Sequence, residues 1–242
     1  MSSSCRFCCY KEVRKPIKNK IDKSGDIQLV FFDMDGVLTD TISSWKHIHD
    51  AFNTSNERSV NKYLKGKIDD LEFIRLDVSL WVENGKLTKI SNLKKILYQI
   101  PLIKGAKQLI SFLKKHDVKV VIISAGLDIL ANRVAEELDI DYVVANGVKT
   151  DRTGRLTGDG ILRVKLMYKD ENVINIAKEF DIPLENCMAI GNSCFDVPMF
   201  ETCGIGIAFN PDDDCVRDAA DIVVEGKDLK KLKEVLEAII QP

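Results

Sequence analysis

The stretch FFDMDGVLTD, residues 31–40, sets two acids, Asp33 and Asp35, one residue apart where a run of large apolar side chains ends at Gly36. Working back, residues 27–32 form a short apolar segment with the composition of a buried strand. Working forward, further short apolar runs follow at 118–123, 142–145, 187–190, 205–208 and 222–224. Between them apolar residues recur at helical spacing: Ala106, Leu109, Ile110 and Leu113; then Ile129, Leu130, Val134 and Leu138; then Val173, Ile176, Ala177 and Phe180. Strands alternating with helices predict a doubly wound, Rossmann-like α/β fold with a mainly parallel sheet and helices on both faces.

Two intervals break that rhythm. About 80 residues separate the first two strands, far more than one crossover helix needs. Residues 44–98 are therefore expected to fold as a small helical cap beside the C-terminal end of the first strand, leaving 26–43 and 99–242 as the core. The second interval, 146–163, contains TDRTGRLTGDG and reads as a β-hairpin with glycine-containing turns. Residues 1–25 stand apart as a basic tail (Arg6, Lys11, Arg14, Lys15, Lys18, Lys20 and Lys23 against Glu12 and Asp22) with no sustained period, and disorder is expected there. Cys5, Cys8 and Cys9 lie in this tail, but a structural zinc site wants four ligands and the nearest histidine, His47, is far along the chain.

With 242 residues, 45% hydrophobic and 30% charged, the chain is long enough to bury a substantial core. A net charge of -2 supplies no basic field for nucleic acid, and no apolar run reaches the roughly 18 residues of a membrane span. The expected partner is a small molecule, with no nucleic acid and no membrane; the oligomeric state is left open. Seven cysteines in no disulfide-framework spacing, and no apolar N-terminal stretch of signal-peptide type, make a cytoplasmic location the expectation.

In open α/β sheets ligands sit beyond the carboxyl ends of the strands, near the point where strand order reverses. The second strand ends in IISAGLD, which offers the Ser124 hydroxyl and backbone donors around Gly126 at the expected start of a helix. Lys169 precedes the helix beginning near Asp170, and the fourth strand ends in AIGNSCFD, bringing Asn192 and Asp196 to the same edge.

These elements, in this order, resemble the haloacid dehalogenase (HAD) superfamily of hydrolases, and within it the phosphoserine phosphatase-like branch. The resemblance spans about residues 27–240 and rests on Asp33-Met34-Asp35-Gly36-Val37-Leu38-Thr39, on Ser124-Ala125-Gly126, on Lys169 and on Gly191-Asn192-Ser193-Cys194-Phe195-Asp196. It implies a magnesium-dependent phosphatase of a small phosphorylated metabolite. Asp33 would be the nucleophile that forms an aspartyl-phosphate, and Asp35 the acid and base. To act as an acid near neutral pH, Asp35 needs a raised pKa, expected from its carboxylate neighbour and from burial under the cap. Ser124, Ala125, Gly126 and Lys169 would hold the phosphoryl group; Mg2+ would rest on Asp33, the Asp35 carbonyl, Asn192 and Asp196. Each has a plainer reading: Ser124 or Asp196 as a helix N-cap, Lys169 as a charge at a helix end.

The sequence departs from the family at Asn192, where an aspartate is usual. An asparagine offers magnesium a carbonyl oxygen but no charge, which predicts a requirement for high magnesium. By alignment, the acid and the arginine with which the branch holds phosphoserine fall on Ile42 and Asp77, and neither can serve. Arg75 lies two residues earlier, about half a helical turn away. Trp45, His47, His49, Arg75, Trp81 and Glu83 are candidates to contact the leaving group. Two alternatives stand beside hydrolysis: transfer of the phosphoryl group to an alcohol, and a non-catalytic protein that binds a phosphorylated ligand or a partner.

Overall fold

The central strand β1 (Leu29–Phe32) is buried along its whole length. It pairs in parallel with β4 (Lys119–Leu127) on one side and β7 (Cys187–Gly191) on the other, Val30 lying opposite both Val120 and Met188. A strand flanked and covered in this way has no solvent face, which is why LVFF contains no polar residue. Its side chains alternate between two cores. Val30 and Phe32 join Val120, Ile122, Met188 and Ile190 on one face, while Leu29 and Phe31 join Val121, Ile123 and Ala189 on the other. Truncating Phe32 to alanine would cost roughly 3–5 kcal/mol.

This computed structural model describes residues 26–240; the expected basic tail and its three cysteines lie outside the described residues. The main sheet has the order β6-β5-β4-β1-β7-β8-β9, completed by β5 (Tyr142–Thr150), β6 (Leu156–Ile161), β8 (Ile205–Phe209) and β9 (Ile222–Val224). The chain leaves β1 toward β4 and β5, then crosses back to β7, β8 and β9, so the order reverses at β1. Only β6 runs antiparallel to its neighbour. It is the second strand of the predicted hairpin, whose first strand is simply β5 continued to Thr150. Helices α5 (Ala106–Lys115), α6 (Asp128–Leu138), α7 (Lys169–Glu179), α8 (Val197–Thr202), α9 (Asp214–Ala219) and α10 (Lys230–Ile239) accompany the sheet. The periodic positions are the buried ones: Ala106, Leu109, Ile110 and Leu113 on α5, and Val173, Ile176 and Ala177 on α7.

The interval after β1 holds four helices, α1 (Ser44–Ala51), α2 (Glu57–Leu64), α3 (Asp70–Ser79) and α4 (Ile90–Leu97). It also holds a small antiparallel pair that sequence patterning did not reveal, β2 (Val82–Glu83) with β3 (Lys86–Leu87). The β5–β6 hairpin meets this layer: Arg75 Nε donates to Asp159 Oδ1 at 2.8 Å, and Leu156 N–H donates to the Thr88 carbonyl at 2.9 Å. Among the described residues no helix is long and apolar enough to cross a membrane.

Candidate active site

Asp33 N–H donates to the Ile190 carbonyl at 2.9 Å, extending the β1–β7 ladder one residue past the strand and aiming Asp33 out of the sheet's C-terminal edge. The chain then coils tightly. Leu38 N–H, Thr39 N–H and Thr39 Oγ1 all donate to the Met34 carbonyl, at 2.9, 3.1 and 3.1 Å. Gly36 makes the reversal at φ +79°, a left-handed conformation suited to glycine, and a Cβ there would lie 2.4 Å from Asn192 Nδ2. Since Phe32 is paired with Ile122 and Ile190, the ends carrying Asp33, Ser124 and Asn192 emerge side by side.

Lys169, the first residue of α7, is only 2% exposed and lies between two carboxylates: its Nζ is 2.6 Å from Asp196 Oδ1 and 3.1 Å from Asp33 Oδ1. Burial opposes its charge, but Asp196 and then Asp33 outweigh that and hold its pKa above the ordinary lysine value. The reading of Lys169 as a solvated helix-end charge is therefore excluded by its position. Asp196 is wholly buried and uses both oxygens: Oδ1 takes Lys169, while Oδ2 accepts from Asn192 N–H, Ser193 N–H and Ser193 Oγ at 2.9, 3.0 and 3.2 Å. It does stand at the N-cap of α8, but its side chain makes no cap hydrogen bond to that helix.

The two reactive candidates have different surroundings. Burial, then Asp196, pushes the Asp33 carboxyl upward; Lys169 pulls it back, and with a smaller push from Asp35 the pKa rests at about 7. Asp33 Oδ1 is buried and receives no well-aligned hydrogen bond. The Asp35 pKa is also raised, and burial is the leading cause, opposed by hydrogen bonds from Ser44. The expected contribution of burial is thus present, whereas the neighbouring carboxylate acts on Asp33 and is not among the causes resolved for Asp35. Buried hard oxygen donors, with one under-satisfied oxygen and more negative than positive charge, fit a divalent cation such as magnesium.

Three residues that sequence reasoning missed hold this site in shape. Ser44 N–H and Ser44 Oγ both donate to Asp35 Oδ2, at 2.7 and 2.8 Å, and Ser44 Oγ accepts from Leu127 N–H at 3.0 Å. One hydroxyl thereby joins α1, the Asp35 turn and the end of β4. Gly126 permits the approach, because a Cβ there would lie 2.7 Å from Ser44 Oγ and 2.8 Å from Asp35 Oδ2. Asn146 is the second: its Nδ2 donates to the carbonyls of Ala125 and Val164 at 3.2 and 2.9 Å. Trp45 Nε1 also donates to Ala125 O, at 2.9 Å, so this peptide is fixed from two sides. Asp212, the third, accepts from Asn192 Nδ2 at 3.0 Å. A small polar residue at a helix start or strand end was the only signal any of them left in the sequence.

Two details differ from expectation. The helix after β4 begins at Asp128, two residues beyond Gly126, because β4 runs on to Leu127. Ser124 is not its cap; Ser124 Oγ accepts from Gly126 N–H at 3.1 Å and supports the turn. Of the leaving-group candidates, Trp45 reaches the site through Ala125. His49 and Trp81 are buried with Asp77: Trp81 Nε1 donates to His49 Nδ1 at 3.2 Å, and His49 Nε2 faces Asp77 Oδ2 at 3.4 Å. Glu83 accepts from Thr88 and Asn92 at 2.5 and 2.7 Å, Arg75 is tied to Asp159, and His47 is partly exposed on α1. Ile42 is 81% exposed.

Comparison with known proteins gives a consistent picture. The family model described as haloacid dehalogenase-like hydrolase matches residues 30–201. A phosphoserine phosphatase from Methanocaldococcus jannaschii is 31% identical over 207 residues, 85% of this chain and 95% of that protein. One from Archaeoglobus fulgidus is 31% identical over 248 residues, covering 93% of this chain and 68% of its own length. A solved phosphoserine phosphatase with bound substrate superposes with a TM-score of 0.74 at 29% identity, over 89% of this chain and 99% of that one. A phospho-aspartyl intermediate analogue of phosphoserine phosphatase gives 0.73 at 29% identity, over 89% and 100%.

Proposed function

Because the chain belongs to the haloacid dehalogenase-like hydrolase family, we propose that it is a magnesium-dependent phosphatase of a small phosphomonoester, working through an aspartyl-phosphate on Asp33. The observation that carries this reading is Lys169 held between Asp33 and Asp196 at the strand edge where the sheet order reverses. Phosphoserine phosphatase relatives and a phospho-aspartyl analogue among the similar structures support it. Residues 44–98 form the cap in this reading, and 26–43 with 99–242 the catalytic core.

Asp33 attacks phosphorus in line with the leaving oxygen, forming the Asp33 O–P bond as the P–O bond to the alcohol breaks. Ser124, the Ala125–Gly126 segment and Lys169 hold the phosphoryl oxygens. Asp35 Oδ2 already accepts two hydrogen bonds from Ser44, so the transferable proton sits on Oδ1, which gives it to the departing alcohol. The same oxygen then takes a proton from the water that attacks phosphorus and releases Asp33. Asp33, the Asp35 carbonyl and Asn192 would hold the magnesium ion, which supplies positive charge to a dianionic substrate. Asp196, with both oxygens engaged, serves by fixing Lys169 and the 192–193 amides.

The substrate is phosphoserine or a relative with a different leaving group, and the altered positions favour the latter. Ile42 is exposed, and Asp77 is occupied by Asn56 and Ser59 at 2.8 and 3.0 Å. Phosphate release from a panel of small phosphomonoesters, at low and high magnesium and beside an Asp33→Asn control, tests the proposal. Magnesium-dependent release that vanishes in the control supports it; no release on any substrate refutes it.

A further inference from the structure

Beside the loop that follows β7, Cys194, Asp213 and Cys215 bring two thiols and a carboxylate together. Their ligand atoms all lie within 4.8 Å of one another, and all three residues are buried. Cys215 Sγ donates to Asp213 Oδ1 at 2.8 Å, and Cys194 N–H donates to Asp213 Oδ2 at 3.3 Å. Val216 N–H also donates to Oδ1, at 3.0 Å, because Asp213 caps α9. The carboxylate is therefore anchored by backbone, with both thiols within 4.8 Å of it. None of these side chains takes part in the phosphoryl transfer proposed above.

We propose that Cys194, Asp213 and Cys215 form a zinc site, distinct from the oxygen-lined magnesium site at Asp33. Thiolate donors select zinc over magnesium, and a carboxylate completes many zinc ligand sets. Zinc–sulfur bonds of about 2.3 Å and zinc–oxygen bonds of about 2.1 Å in a tetrahedron put ligand atoms roughly 3.6–3.8 Å apart. The observed cluster reaches that size by contracting at most about 1 Å, within reach of side-chain rotation. On binding, each thiol releases its proton to solvent and enters as a thiolate. The fourth position takes water. Zinc here would tie the loop bearing Asn192 and Asp196 to α9, bracing the motif that holds Lys169. The inference stands on the cluster's geometry and does not depend on the phosphatase reading.

Cobalt(II) is the probe, because sulfur-to-cobalt charge transfer absorbs in the near ultraviolet and oxygen ligands of the Asp33 site give no such band. With the reduced full-length chain, the band is expected to saturate at one cobalt per chain, to be bleached by stoichiometric zinc, and to survive excess magnesium and Asp33→Asn. Cys194→Ser and Cys215→Ser should each remove at least half of it, whereas Cys5, Cys8 and Cys9 changed together to serine should leave a thiolate band. Melting curves at saturating magnesium supply a second readout: zinc raises the melting temperature of the natural chain, and this increment is lost in Cys215→Ser. No charge-transfer band, a band unchanged in both Cys194→Ser and Cys215→Ser, or one lost only with the three N-terminal cysteines would overturn the proposal.

Discussion

Asn192 and Asp212 clasp each other: Asn192 Nδ2 donates to Asp212 Oδ2 at 3.0 Å, and Asp212 N–H donates to the Asn192 carbonyl at 2.7 Å. The family aspartate is absent from position 192, yet an acid has been brought to it from the loop after β8. Partial burial, then Asp213 and Asp196, raises the Asp212 pKa, so its charge already faces repulsion. Asn192→Asp would set two carboxylates about where the amide now pairs. Like charges at such separations oppose each other by up to about 4 kcal/mol before further screening by solvent. The metal-free variant should melt below the natural chain, bind magnesium on the order of 10-fold more tightly, and gain more from magnesium in melting temperature. Calorimetric titration and melting with and without magnesium check this; equal affinity in the two proteins would contradict it.

The Asp33 carboxyl gives metal-free stability a definite pH dependence. Its pKa is near 3.8 when unfolded and about 7 in the folded chain, so between those values the folded state binds the extra proton. Stability contributed by this group is present at low pH and falls as pH rises through that window. Magnesium should reverse the trend, since it competes with the proton for Asp33. The magnesium-induced rise in melting temperature is expected to shrink as pH falls below about 7 and to lose most of that pH dependence in Asp33→Asn. A rise independent of pH in the natural chain would refute this account.

Lys169 is buried between Asp33 and Asp196, and removing one partner of a buried ion pair typically costs about 3–5 kcal/mol. Lys169→Met should therefore destabilise the metal-free chain by roughly that amount as well as abolish phosphate release. Adding Asp196→Asn should recover part of the stability and none of the activity. Denaturant melts of the single and double variants measure the coupling, and strictly additive losses would show that the pair is not acting as a unit.

The strands were legible because apolar runs and helical spacing are local signals, while the grouping of Asp33, Ser124, Lys169 and Asn192 at one edge came from the ends of those strands together with the resemblance to the haloacid dehalogenase superfamily. What escaped was long-range polar contact. Ser44 lies 83 residues from Leu127, and Asn192 lies 20 from Asp212; nothing in either neighbourhood distinguishes such a residue from solvated surface. The two-residue strands β2 and β3 are too short to show a period. The plainer reading of Ser124, a helix cap, arose because SAGLD resembles a helix start, but β4 continues through it and the cap position falls on Leu127. His49 and Trp81 read as candidates for leaving-group contacts, whereas contact with each other and with Asp77 buries them.

Ser44→Ala tests the link between α1 and the Asp35 turn. The hydroxyl donates to Asp35 Oδ2 and accepts from Leu127 N–H, so alanine removes two buried hydrogen bonds, at a cost of about 1–3 kcal/mol. Ser44 also stabilises the ionised form of Asp35, opposing the upward push of burial. Without the hydroxyl the Asp35 pKa rises further. Asp35 must carry its proton when the alcohol leaves, so kcat/KM declines as pH rises through that pKa. The alkaline limb of the profile should therefore move to higher pH in Ser44→Ala, while Ser44→Thr, which keeps the hydroxyl, stays near the natural position. A uniform drop in rate with no displacement of the alkaline limb would mean that Ser44 only braces the fold.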